Sequence, residues 1–216
     1  MTSATENTIE IDLKSPWKAA LWGFLIPGAG HFYQGRVGKG VLFAACILTT
    51  FFYGLYLGGG RVVYASTTNP IANPGKFIDR WQFACQAPVG FAAIPAYMQA
   101  WRVETGSKPL FGDRFLRPAY TADDIDRLFA SNAEQRRQAQ IDHLTTQLDT
   151  KNDAGERQVV YHPNEAAKWQ YDYGFFFELG TIYTVIAGLL NVLAIYDAHS
   201  GPVLPEEAKG EPAKES

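Results

Sequence analysis

From Gly40 to Gly60 the chain runs for 21 residues without a charged side chain. A helix of that length extends about 32 Å at roughly 1.5 Å per residue, enough to cross a hydrocarbon core of about 30 Å. Directly before it lies a shorter apolar segment, Ala19 to Gln34, that contains Pro27, Gly28 and Gly30. Together, Trp17 to Gly60 reads as a membrane helical hairpin turned by a glycine-rich corner, Pro27-Gly28-Ala29-Gly30-His31-Phe32-Tyr33-Gln34-Gly35. The first limb is short. It either spans a thinned region, tilts little, or breaks into a helix and a re-entrant corner.

An overall hydrophobic content of 47% in 216 residues would ordinarily suit a soluble globule. The average conceals a segregation. Val103 to Asp172 holds 12 acidic and 9 basic residues, so the rest of the chain is far more apolar than the mean. Aromatic residues gather where apolar runs end, among them Trp17, Tyr33, Tyr56, Trp81, Trp101 and Trp169, as in headgroup-level belts. A net charge of −3 with no Lys/Arg cluster argues against nucleic acid as a partner. The expected partners are the lipid bilayer and a membrane protein or a second copy of the chain. Cys46 and Cys85 both fall in apolar runs and read as small hydrophobes rather than as a disulfide.

Two further apolar segments follow. Phe83 to Trp101 is uncharged between Arg80 and Arg102, but Gln86, Pro88, Gly90, Pro95 and Gln99 weaken it as a lipid-facing helix. It reads as a buried third span, with a re-entrant or interfacial segment as the alternative. Tyr173 to Tyr196 contains one charge, Glu178, and a face of small residues, Gly180, Thr184 and Gly188, beside Asn191. Gly54 and Gly58 have the same spacing in the second span, and such faces let helices approach closely. The expected fold is therefore an all-α membrane protein of about four spans, with a small polar, mostly helical insertion between the third and fourth. The expected divisions are a polar tail (1–16), the hairpin (17–60), a surface connection (61–82), the third span (83–101), the insertion (103–172), the fourth span (173–197) and a disordered tail (198–216).

Within the insertion, Thr121 and Asp124 form a capping-box pattern ahead of Ile125, Leu128 and Phe129. A second amphipathic helix is expected from about Asn132 to Thr150, with Gln158 to Tyr161 extended and a helix beginning near Glu165. With four spans, the Gln34 to Gly40 corner and the insertion share one side. Counting nearby Lys and Arg then puts the insertion in the cytoplasm.

The corner residues Gly30-His31-Phe32-Tyr33-Gln34-Gly35, with Gly40 beyond, resemble the signature of the two-transmembrane-helix domain family. With Pro27 and Gly28 they make up the hairpin motif. The chain departs from that pattern in lacking a basic residue just before Phe32 and an Asp in the second helix, a place Asp197 is left to fill. The chain also resembles uncharacterised bacterial membrane proteins that place such a hairpin ahead of further helices. The resemblance implies a multi-pass protein of the bacterial cytoplasmic membrane and no particular activity.

No catalytic, cofactor or metal motif stands out; His162 and Glu165 have a ligand-like spacing that Pro163 interrupts. The expected role is a non-enzymatic structural or assembly component acting through helix packing. Two alternatives rest on ionisable residues in apolar surroundings. One is a transporter-like or ion-conducting oligomer with Glu178, Asn191 and His31 along a polar path. The other is a membrane-bound enzyme using Asp197 and His199 at one helix end.

Overall fold

The structure is a computed structural model that describes residues 14–112, 115–151 and 157–201. Two long helices form its axis, α3 (Val37–Leu57) and α10 (Phe175–Ser200), and among the described residues these two are long and apolar enough to cross a membrane. They pack antiparallel through small residues. A Cβ built on Gly54 would lie 2.7 Å from Tyr183 Cβ, and one on Gly180 would lie 2.9 Å from the Gly58 nitrogen. Glycine at both positions lets the backbones approach as closely as they do.

The other two apolar segments do not continue as long helices, so two of the four expected spans are matched by long apolar helices and two are not. In the first, α1 (Pro16–Leu25) stops at Ile26, where Pro27 disfavours the helical region and Ile26 is extended. Gly28 then takes φ 83 and reverses the chain into α2 (Ala29–Tyr33). Entry and exit lie at the same end: the Gln34 side chain donates to the Lys14 carbonyl at 3.1 Å, and Lys14 lies over the Tyr33 ring. In the second, α4 (Pro74–Asp79) and α5 (Gln82–Gln86) lead into a 3₁₀ stretch, Ala87–Ala92. There Pro88 withholds a donor and Gly90 turns at φ 70, ψ −122. The chain returns as α6 (Ile94–Glu104), whose Glu104 accepts from the Thr68 N–H at 3.0 Å. This segment too enters and leaves at one end, the end opposite the first. The two tips meet midway along α10, where a Cβ on Gly90 would fall 2.8 Å from the Leu25 carbonyl carbon.

The connection after α3 and the polar insertion therefore lie at one end of the α3/α10 pair, and the glycine corner at the other. This differs from the four-span arrangement, which paired the corner with the insertion. Gly60 accepts from the Leu116 N–H at 2.9 Å, and Tyr64 packs edge-on to Trp169. A core of Ile47, Phe51, Leu55, Val62, Val89, Trp169, Phe177 and Ala187 runs from the helix pair into the base of the polar unit.

The polar unit is not wholly helical. Helix α7 (Ala122–Leu128) starts with the Thr121–Asp124 capping box, and α8 (Ala133–Leu144) is capped by Asn132. They close on each other around Val103, Tyr120, Ile125 and Ala139. The second helix ends at Leu144 rather than near Thr150. From Thr145 the backbone is extended as β1 (Thr145–Lys151), paired antiparallel with β2 (Arg157–Tyr161) in the register Thr145 to Tyr161, Thr146 to Val160 and Gln147 to Val159. The all-α expectation is thereby corrected. The β-branched pair Thr145 and Thr146, facing Tyr161 and Val160, favours a strand where an apolar stripe suggested more helix. Helix α9 (Glu165–Tyr173), capped by Asn164, leads through Gly174 into α10.

Candidate functional site

The polar side chains that could bear function fall into three groups along this axis. At the corner end, α2 presents His31 and the turn before α3 presents Arg36, both toward the last turns of α10. His31 is 1% exposed and its Nε2–H donates to Asp197 Oδ2 at 2.8 Å. Arg36 Nη2 donates to the same oxygen at 2.9 Å, Lys39 Nζ at 3.3 Å, and Arg36 Nη1 reaches the Asp197 carbonyl at 3.2 Å. One carboxylate thus ties the corner to the C-terminal end of α10, where the helix dipole disfavours an anion and favours these cations. The corner glycines have separate reasons. A Cβ on Gly30 would lie 2.9 Å from Ala198 Cβ, and one on Gly40 would sit 2.6 Å from the Phe32 ring. At Gly35, with nothing within 4 Å, the requirement is φ 77 alone. Phe32 and Tyr33 flank this turn, Phe32 with an exposed ring.

Midway along the helix pair Asn191 is fully buried, and its amide donates to the Gly23 carbonyl at 3.0 Å and the Pro88 carbonyl at 2.7 Å. Each acceptor is left without a helical partner by one broken segment, so one side chain joins both tips. Below it, Gly188 faces the Cys85 backbone and Gln86 donates to Thr184 Oγ1 at 2.8 Å and to the Val62 carbonyl at 3.0 Å. The small-residue face of α10 is consumed inside the protomer, by α3 at Gly180 and by the second broken segment at Thr184 and Gly188.

At the polar end, Arg117 and Glu165 form a buried bidentate pair, Nη1 to Oε2 at 2.6 Å and Nη2 to Oε1 at 2.5 Å. His143 Nδ1–H donates to Glu165 Oε1 at 2.8 Å, and the Tyr120 N–H donates to Oε2 at 3.0 Å. The guanidinium lies 3.9 Å over the Tyr120 ring and 5.4 Å from Trp169. Burial alone would raise the Glu165 carboxyl; the hydrogen bonds from His143 and Arg117 and the Arg117 charge outweigh it and hold it at about 2. The residue before Arg117, Leu116, is buried at φ 53, a left-handed conformation costly for leucine that its packing and its bond to Gly60 maintain. Beside the cluster opens a cleft of about 570 Å³, with Arg61 and Trp169 at its base and Thr146, Gln147, Lys168 and Asp172 on its walls. Arg61 also donates to the Tyr173 hydroxyl at 2.9 Å.

A family of unknown function, DUF6677, matches the chain over residues 18–211. The chain belongs to that family. The DUF6677 match covers the corner, both broken segments, the polar unit and α10, so all three groups lie within it. No curated protein and no solved structure matches.

The residues expected from sequence are distributed rather than gathered. Asp197 reaches His31, whereas His199 turns away to stack edge-on against Trp17 at 5.1 Å. Asn191 lies between the tips, and Glu178 is exposed in the first turn of α10, so His31, Asn191 and Glu178 occupy three separate levels. Gly58 meets its own loop at Val62. Both thiols are free; Cys46 is exposed on α3 rather than buried. The Arg117–Glu165–His143 cluster was missed. Its members are 26 and 22 residues apart along a charged stretch, and a local reading treats each as one more solvated charge.

Proposed function

We propose that this protein is a multi-pass integral component of a bacterial cytoplasmic membrane, with two full spans and two re-entrant segments, and that it serves non-enzymatically in assembly by holding a rigid polar cleft at one membrane face. The membrane assignment is supported by what the outside of the helix pair carries: Phe52, Tyr56, Phe175, Ile182, Leu193 and Tyr196 all expose large apolar surface. Irregular backbone at mid-depth is tolerated where protein covers it, as α3, α10 and Asn191 cover the two tips. The bacterial assignment follows the resemblance of the corner motif. Near-membrane cations such as Arg61, Lys76, Arg80, Arg102, Lys108 and Lys168 at the polar end, against Lys14, Lys18, Arg36 and Lys39 at the corner, favour a cytoplasmic polar unit.

The observation that carries the assembly reading is that the carboxylates at the two ends of the helix pair, Asp197 and Glu165, are spent on holding the fold together. Asp197 is taken by three side chains of the corner, and Glu165 by Arg117, His143 and a backbone N–H. What remains open to a partner is the cleft. Native gel electrophoresis of gently solubilised membranes tests this: the wild-type chain is expected in a complex of defined size, and Gln147→Trp, which fills the cleft from an exposed strand position, is expected to release it with thermal stability unchanged. A wild-type chain that migrates alone, or a complex indifferent to Gln147→Trp, contradicts the reading.

Transport is a second reading, favoured by the meeting of two broken segments at Asn191, since discontinuous helices at mid-depth build many transporter sites. It requires a flux in proteoliposomes that Asn191→Ala alters.

A further inference from the structure

A second cavity, of about 410 Å³, lies on the flank of α10 at the polar end. Its lining changes character with depth. Arg80, Trp81, Gln82, Gln170 and Glu178 surround one part, and Phe177, Thr181, Ile182, Val185 and Ile186 the other. On α10, Glu178, Ile182, Val185 and Ile186 follow the i, i+4, i+7, i+8 spacing of one helix face, so the groove runs along the helix. Glu178 sits about 5 Å and Ile186 about 17 Å from the start of α10, at roughly 1.5 Å per residue. That interval is the polar boundary and acyl region of one leaflet in a core about 30 Å thick.

The polar mouth contains groups the protein itself leaves unanswered. Arg80 is 6% exposed, donates to the Val62 carbonyl and lies over the Tyr64 ring, yet its buried Nε has no hydrogen-bond partner among the described residues. Gln82 Oε1 is likewise buried without a partner. Glu178, on the opposite wall, is exposed. A guanidinium and a carboxylate that face the same cavity suit an occupant carrying both charges. A purely anionic headgroup would meet Glu178 unfavourably, and a quaternary ammonium would bring no N–H to it or to Gln82 Oε1.

We propose that this groove binds a phospholipid with a zwitterionic headgroup ending in a primary ammonium, the ethanolamine class. Its phosphate lies toward Arg80, its ammonium against Glu178 and Gln82, and one acyl chain along Ile182, Val185 and Ile186. The inference rests on the membrane reading above. It adds a specific site in the leaflet that borders the polar unit.

Native mass spectrometry of the full chain in micelles carrying equal amounts of phosphatidylethanolamine, phosphatidylcholine and phosphatidylglycerol with identical acyl chains tests it. The wild type retains the ethanolamine lipid in preference to both others by about fivefold, the return expected of one partly exposed charged contact. Glu178→Gln reduces retention of the ethanolamine lipid to that of the choline lipid. Ile182→Trp, which fills the apolar part, lowers retention of all three, while Leu193→Trp, on the same helix outside the groove, changes none. Equal retention of the three headgroups by the wild type, or a preference that survives Glu178→Gln, overturns the site. Alkaline extraction of the cell membranes from which the chain is purified separates the two claims: a chain that stays in the membrane but shows no headgroup preference overturns the site alone, and a chain released to the aqueous phase overturns the membrane reading with it.

Discussion

Replacing Glu165 by Gln keeps the shape of the side chain and removes its charge, so it isolates what the buried Arg117–Glu165–His143 cluster contributes. The carboxyl is held at about 2 against an ordinary 4.5. Each tenfold change in proton affinity is worth about 1.4 kcal/mol, so ionised Glu165 stabilises the folded chain by about 3 kcal/mol at neutral pH. Removing one partner of a buried pair costs about 3–5 kcal/mol on other grounds, and the amide oxygen of Gln can still accept one bond, which points to the lower end. In a chain of this size that corresponds to a fall of roughly 6–12 °C in melting temperature, measured by circular dichroism in micelles at pH 7. Hydrogen exchange should locate the loss in α9 and the segment around Tyr120. Because the folded value is depressed, the contribution is fully present above about 4.5 and disappears as the pH falls toward about 2. The wild type therefore loses stability across that window, and the variant, already without the contribution, changes less. A variant that melts within about 1 °C of the wild type, with α9 equally protected, would refute the assignment of this pair as the fastening of the polar unit.

Asn191→Leu preserves volume but leaves the Gly23 and Pro88 carbonyls buried without their donor. At roughly 1–3 kcal/mol for each such group, both tips should lose exchange protection while the polar unit keeps its own. Asp197→Asn removes the charge that His31, Arg36 and Lys39 share, so exchange should quicken over residues 29–36 with α9 unaffected; protection equal to wild type there would show that α1 and α2 hold the corner without it.

Local chemistry in the sequence was sufficient for several parts of this fold. The long apolar helices α3 and α10 follow from uninterrupted apolar runs, the α7 start from Thr121 and Asp124, and the close approach of the helix pair from Gly54 and Gly180. The two broken segments carried their signals openly, in Pro27-Gly28 and in Pro88 and Gly90, but composition suited a crossing as well as a return. What decides between them is non-local: Asn191 and the tight fit of Gly90 against Leu25 accept the freed backbone at mid-depth, and neither contact has a trace in the segments themselves. The strand that starts at Thr145 is decided in the same way, by its partner strand at Val159 to Tyr161. Among candidate site residues, His31 and Asp197 stand 166 positions apart, and their contact depends on α10 running antiparallel to α3 and ending beside the corner. The Glu165 cluster needed the segment around Arg117, α8 and α9 to come together before three ordinary charges could be seen as one buried unit.

The arrangement of two full spans and two re-entrant segments is tested most directly by thiol accessibility in intact cells. Single cysteines are placed at Ile71, Ser131 and Ser200, all exposed, in a chain with Cys46 and Cys85 replaced by alanine. The structure puts positions 71 and 131 at the polar end and 200 at the corner end, so an impermeant reagent should label 200 and spare both 71 and 131. Labelling of 71 and 200 together, with 131 protected, is the pattern of four full crossings and would contradict the re-entrant account.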